Sequence, residues 1–146
     1  QKEKFSKLAK KLGVDKHVHF LGKLPNQELP LWSNASEMFL MTSSHTKDGD
    51  FEGFGISVIE AALCGKPAIV SSGEHGLSEA IQPGITGLAI KEDDTEQLAD
   101  SIKKLLDNKD ELTQLGDAAF MRAKEEFTWR IITKQIKKEI NNIIYK

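Results

Sequence analysis

The feature that most constrains this chain is a series of short, uniformly apolar runs set between helical patterns. "SEMFLMTSS" (Ser36 to Ser44) holds a nearly unbroken apolar stretch of strand length, and "PAIVSS" (Pro67 to Ser72) is a second. A strand with one wet face alternates apolar and polar residues, whereas a run without alternation reads as a strand covered on both faces. "GLAI" (Gly87 to Ile90) is a third short piece of this kind. Upstream, "KHVHFLG" does alternate, with Val18 and Phe20 on one face and His17 and His19 on the other, so a strand is expected there, ending at Gly22.

Between these runs the apolar period becomes that of a helix. Residues 2–12 space Phe5, Leu8 and Leu12 along one face and stop at Gly13. Asn26 can cap a short helix through Leu31 and Trp32, with Pro30 awkwardly inside it. A helix from Ile56 to Cys64 is closed by Gly65 and Pro67, and another from Leu77 to Ile81 by Pro83 and Gly84. Asp94 and Gln97 form a capping-box-like start for a helix with Leu98, Ile102, Leu105 and Leu106 inward. One helix then runs through Leu112, Leu115 and Ala119, and a last one, begun by Thr128, is expected to bury Ile132, Ile136, Ile140 and Ile143. Alternating strands and helices joined by short turns predict an α/β fold, a Rossmann-like parallel sheet with helices on both faces. The 146 residues suffice for one core and not for two.

The bulk numbers exclude more than they assign. Net charge is −2, so nothing in the total calls for nucleic acid. Residues 1–23 carry seven lysines against Glu3 and Asp15, a local charge of +5 that leaves −7 for the rest. Such a segment can lie against an anionic membrane surface, although lysines on a solvated helix face are the commoner arrangement. The one cysteine, Cys64, excludes an internal disulfide, and no apolar run reaches the roughly 18 residues of a membrane span. A cytoplasmic location, at most against the inner face of the membrane, is expected. His17, His19, His45 and His75 share no metal-ligand spacing, so no metal site is expected.

Chemistry concentrates in "DFEGFGISVIEAALCGKP" (Asp50 to Pro67). Gly53 and Gly55 permit a tight turn and close approach of backbone to a ligand, and the helix that follows points its first amides outward, which suits a phosphate. Glu60 lies on that helix among Ile56, Ser57, Leu63 and Cys64, a mostly apolar stripe with no cation within a turn. A buried carboxylate there needs donors, and ligand hydroxyls can supply them. Glu52, in the glycine turn, is expected to face the same crevice. Two carboxylates for sugar hydroxyls beside amides for phosphate describe a nucleotide-sugar site. A glycosidase acid/base pair of Glu52 and Glu60 would leave the glycine turn without a role. Phe51, Phe54 and Trp32 read as packing residues rather than a stacking platform.

At these residues the chain resembles a known family. "EGFGISVIEAALCGKPAIVSS" is similar to the donor-binding motif of the family-four retaining glycosyltransferases of the GT-B fold: Glu-Gly-Phe-Gly, a second Glu eight residues on, then a small residue, Gly and Pro leading into a strand. "VHFLGKLP", "SEMFLMTSS", "GLSEAIQPGITGLAI" and "FTWRIITKQ" resemble the family's flanking segments in the same order. The resemblance implies that Glu52 contacts the donor sugar and stabilises the reacting ring. It implies that amides of Gly53, Phe54, Gly55 and Ile56 hold sugar and diphosphate, that Glu60 binds the ribose, and that Lys23 and Leu24 border the base. It further implies retention at the anomeric carbon without a metal or other cofactor. The donor would be a uridine or guanosine diphosphate sugar, and the acceptor a glycan or lipid held mainly by an N-terminal domain.

That N-terminal domain, two further strands and a basic pair that meets the diphosphate in the family have no counterpart in these residues. Residues 1–146 are therefore expected to be a partial donor-binding domain, incomplete at its N-terminal side and inactive alone. Lys47 in the polar insert could replace the missing charge but reads as an exposed loop lysine. A composition rich in lysine, isoleucine and asparagine suggests an AT-rich bacterium, where surface polysaccharide synthesis would be typical. The alternative is a non-catalytic nucleotide-sugar-binding module, or a subunit that needs a partner chain.

Overall fold

The computed structural model describes residues 1–43, 54–72 and 77–144. In chain order the elements are α1 (Lys2–Lys11), a 3-10 turn (Asp15–His17), α2 (Leu29–Ala35), β1 (Phe39–Met41), α3 (Ile56–Leu63), β2 (Ala68–Ser72), α4 (Leu77–Ala80), β3 (Gly87–Lys91), α5 (Thr95–Asp107), α6 (Lys109–Glu126) and α7 (Trp129–Ile144). The three strands form one parallel sheet in the order β1-β2-β3, with Phe39 beside Ala68 and Val70 beside Ala89. Parallel neighbours require crossovers, and α3 and α4 supply them.

β2 is the centre of the sheet, and its side chains divide the core. Ala68 and Val70 pack with Val58, Ile59 and Ala62 of α3, Leu77 and Ala80 of α4, and Ala119 and Ala123 of α6. Ile69, between them, joins Ile90, Leu105, Leu112 and Leu115 in a second cluster. Successive residues of a strand point to opposite faces, so the two clusters are the two faces of the sheet and both carry helices. Each fully buried Leu, Ile or Val contributes about 1.5–3 kcal/mol. α6 serves both clusters, Leu112 and Leu115 in one and Ala119 and Ala123 in the other.

Helix starts follow the local chemistry. Asp94 accepts from the Gln97 amide at 2.8 Å. The Gln97 side chain accepts from the Lys91 amide at 2.7 Å, which ties the end of β3 to the start of α5. Asn108 accepts from the Glu111 amide at 3.1 Å and opens α6.

Several expectations are corrected. Residues 18–20 form no strand: Val18 is extended, but a strand exists only where a neighbour takes its N–H and C=O groups, and no described segment does so. Pro30 sits in the first turn of α2, where its missing N–H costs nothing, because the helix begins at Leu29 and not at Asn26. β1 is not covered on both faces; among the described strands it lies at one edge of the sheet, and Leu40 is 44% exposed. Leu106 is exposed while Leu105 is fully buried. The apolar stripe expected to be buried on α7 is open, with Ile136, Ile140 and Ile143 exposed, and Phe5, Leu8 and Leu12 along α1 are exposed as well. A periodic stripe shows that one face is apolar and does not show what covers it.

Candidate functional site

Strands β1 and β2 end at Met41 and Ser72, and α3 and α4 begin at that same end of the sheet. Side-chain hydroxyls secure the strand ends there. Ser71 donates to the carbonyl of Ser43, and Ser72 donates to the carbonyl of Ile90 at 2.8 Å. A parallel α/β sheet places ligands at its carboxyl edge, where loops enter helix N-termini.

Gly55 makes the entry to α3 possible. It is the N-cap residue, in the left-handed region at φ 81° and ψ 61°. A Cβ added there would lie 2.6 Å from Leu77 Cδ2, 3.2 Å from Val58 Cγ2 and 3.4 Å from Met41 Sδ. Glycine therefore satisfies two demands, the dihedral and the space. The Val58 amide donates to the Gly55 carbonyl at 2.9 Å. The amides of Ile56 and Ser57 come earlier in the first turn, where the helix itself offers no acceptor, and Gly55 brings no capping side chain. Both amides carry the positive end of the helix dipole.

Glu60 lies one turn further on. α3 buries Val58, Ile59, Ala61 and Ala62, and Glu60 falls on the opposite, open face. The expectation of a carboxylate buried in an apolar stripe is thus corrected: Glu60 is exposed, because the stripe it shares with Ile56 (70% exposed), Leu63 and Cys64 faces away from the sheet. This face forms one wall of a cleft of about 510 Å³. Ser57, Glu60, Leu63 and Cys64 line it from α3, and Asn26, Leu29, Pro30 and Ser33 from α2 and its approach, with Phe39 of β1 at the base. The cleft is mostly apolar, with Glu60 as its charged group. At about 1.5 Å per residue, Ile56 and Glu60 are roughly 6 Å apart along the helix. One short helix thus presents amides at its tip and a carboxylate on its flank.

The remaining residues from the sequence reading are placed unevenly. Phe54, half-buried, packs against Phe127 with ring centroids 5.5 Å apart. Lys23 is exposed and Leu24 half-buried in the turn before α2; neither lines the cleft, although Asn26 just after them does. Glu52 and Gly53, like Phe51, Lys47, His45 and His75, lie outside the described residues. One residue that the sequence reading missed stands behind the site. Arg122, on α6, donates to the carbonyls of Ala80 and Glu79 at 3.1 and 3.0 Å and stacks its guanidinium 5.0 Å from the Phe127 ring centre. A signal was available: the only arginines are Arg122 and Arg130, against eighteen lysines, and a position that keeps arginine in a lysine-rich chain needs its planar fork.

Among the described residues, no three His, Cys, Asp or Glu side chains gather where they could hold a metal ion, and no helix is long and apolar enough to cross a membrane.

Comparison with known proteins bears on this geometry. Residues 1–122 match the model of a family described as glycosyl transferases group 1. The chain is 31% identical over 132 residues to a D-inositol 3-phosphate glycosyltransferase of Corynebacterium aurimucosum, an alignment that covers 90% of this chain and 30% of the relative. Its fold is similar to that of sucrose-phosphate synthase from Thermosynechococcus elongatus, with a TM-score of 0.85 at 25% identity, covering 98% of this chain and 34% of that one. It is also similar to Anabaena HepE, solved in complex with UDP and glucose, with a TM-score of 0.84 at 23% identity, covering 96% of this chain and 36% of that one. The chain thus spans about a third of the length of the relatives it matches. Its parallel sheet with helices on both faces is similar to that of GT-B glycosyltransferases, and the chain belongs to the group 1 glycosyl transferases.

Proposed function

We propose that this chain is the donor-binding part of a retaining glycosyltransferase that moves a hexose from a nucleoside diphosphate sugar to a glycan or lipid. The observation that carries the reading is the construction of α3: first-turn amides at Ile56 and Ser57 behind a left-handed glycine, and Glu60 on the open flank of the same helix. A diphosphate suits the helix tip, where amides that find no acceptor within the helix and the dipole meet negative charge. A ribose alongside would donate its hydroxyls to Glu60, and the apolar remainder of the cleft suits the flat, weakly polar part of a nucleoside. Lys23 and Leu24, in the turn that leads to Asn26, would border the base. UDP and glucose, held by the similar HepE structure, are ligands of this chemical class.

In this reading Glu52, with the backbone of Gly53, Phe54 and Gly55, holds the donor sugar and stabilises positive charge on its ring. The bond from the anomeric carbon to the diphosphate oxygen breaks as the acceptor oxygen bonds on the same face. The departing phosphate oxygen takes the acceptor's proton. The protein positions the reactants and stabilises charge, with no covalent intermediate, metal or other cofactor. The acceptor belongs to a separate N-terminal domain, residues 1–146 being part of the donor domain, and the setting is bacterial surface polysaccharide synthesis on the cytoplasmic side of the membrane.

Titration calorimetry with uridine and guanosine diphosphates and their sugars tests the reading. Glu60→Ala should weaken binding by about 5- to 150-fold, roughly 1–3 kcal/mol, the usual penalty for removing a charged hydrogen-bond partner. Affinity unchanged by that substitution removes Glu60 from the site.

A further inference from the structure

We propose that Arg122 is a positioning residue for the donor site, one that fixes the Phe54–Ile56 turn by holding α4 and Phe127 in place. The inference rests on the donor-binding reading above. Arg122 keeps only 16% of its side chain exposed, and a guanidinium so enclosed must find a partner for each of its faces. Its Nη1 and Nη2 donate to Ala80 and Glu79, its Nε donates to Glu126 at 2.9 Å, and its plane covers Phe127. The Ala80 and Glu79 carbonyls close a four-residue helix. A helix that short has no stability of its own, and its C-terminal carbonyls are the groups that need an outside donor.

The contacts close a ring. Arg122 holds the end of α4, whose first residue, Leu77, is fully buried and sits against Gly55 so closely that no Cβ would fit between them. Phe54, next to Gly55, packs on Phe127, and Phe127 lies under Arg122. A shift of α4 therefore moves Leu77 against the glycine turn, and a shift of Phe127 moves Phe54. Both routes reach the backbone that leads to the Ile56 and Ser57 amides. Glu60, on the outer flank of α3, belongs to neither route. Lysine could not replace this arrangement, because its ammonium has no planar face to lay on a ring and no fork of separate donors to reach two adjacent carbonyls and a carboxylate at once.

The division between helix tip and helix flank makes the proposal testable. Binding of uridine and guanosine and of their diphosphates is followed by NMR titration in the native chain, Arg122→Met and Glu60→Ala. Arg122→Met should weaken the diphosphates at least tenfold and leave the nucleosides within twofold, whereas Glu60→Ala should weaken both. In the unliganded Arg122→Met protein, the amide signals of Phe54, Ile56 and Leu77 should move while those of Leu98 and Ile102 on α5 stay. Arg122→Lys, which keeps a cation near Phe127, should show a smaller diphosphate loss, and it serves if the methionine variant does not fold. Diphosphate affinity within twofold of native, an equal loss for nucleosides, or unmoved turn signals would overturn the positioning role. If the native chain binds no diphosphate, the donor-site reading fails, and the unliganded turn signals still decide whether Arg122 sets the turn.

Discussion

Gly55→Ala gives the sharpest test of how the turn is built. Two penalties add at this position. A β-carbon at φ 81° costs about 1–2 kcal/mol in the left-handed region. That carbon would also stand 2.6 Å from Leu77 Cδ2, and Leu77 is fully buried, so it cannot swing into solvent. Overpacking of this kind costs a further 1–3 kcal/mol or so. The lost freedom of the unfolded chain returns about 0.4–1 kcal/mol. A net loss of about 3 kcal/mol follows, which for a chain of this length is a fall of roughly 10 °C in melting temperature. Gly65→Ala supplies the control: φ there is 69°, but nothing lies within 4 Å of the added carbon, so only the dihedral cost of about 1 kcal/mol applies. Asparagine separates the two effects further. It tolerates the left-handed region, so Gly65→Asn should be milder than Gly65→Ala, while Gly55→Asn should be as damaging as Gly55→Ala. Urea unfolding followed by circular dichroism measures all four variants. If Gly55→Ala is no worse than Gly65→Ala, close packing of α4 on the turn is not what requires the glycine.

Three further outcomes are expected. Leu105→Ala should cost about 2–5 kcal/mol in urea unfolding because its side chain is fully buried, whereas Ile140→Ser, 48% exposed, should stay within about 0.5 kcal/mol; an equal loss at both would mean that the α7 stripe is covered. Asp94→Ala should destabilise by about 1 kcal/mol through loss of the bond from the Gln97 amide, and Asp94→Asn should recover most of it. The hydrogen bond to Asp107, then its charge, raises the Lys103 ammonium above its ordinary value of 10.5, so the pair's contribution is complete at lower pH and is lost as pH rises through the raised value. Unfolding midpoints should therefore show no change from this exposed pair near neutrality, and in Asp107→Asn the Lys103 signal should titrate at lower pH by NMR.

What could be read in the sequence tracks where the explanation was local. The β2 run and the Asp94 cap each depend on neighbours in the chain or on complete burial, and both stand where they were expected. The segment at 18–20 has the alternation of a strand but no neighbour to pair with among the described residues, and pairing is not encoded in the segment itself. Leu40 failed as a buried residue for a related reason, since continuous apolar character does not tell an outer strand from a central one. At the site, Gly55, Ile56 and Glu60 are found on one helix as their spacing requires. Glu60 was nevertheless expected to be buried, because its apolar neighbours along the helix do not say which stripe faces the sheet. Apart from its rarity among the lysines, nothing local marked Arg122 for this role: the two carbonyls it holds are 42 and 43 residues away.

One consequence follows from the way α6 crosses the molecule. Because its first half packs with α5 and its second half with α3, the two layers on either side of β2 share a single rigid member. Neither layer can melt while the other stays intact, for the melting of one removes half the footing of the other. Hydrogen exchange in α3 and in α5 should accordingly report one opening free energy rather than two, making the protein a single cooperative unit despite its thin sheet.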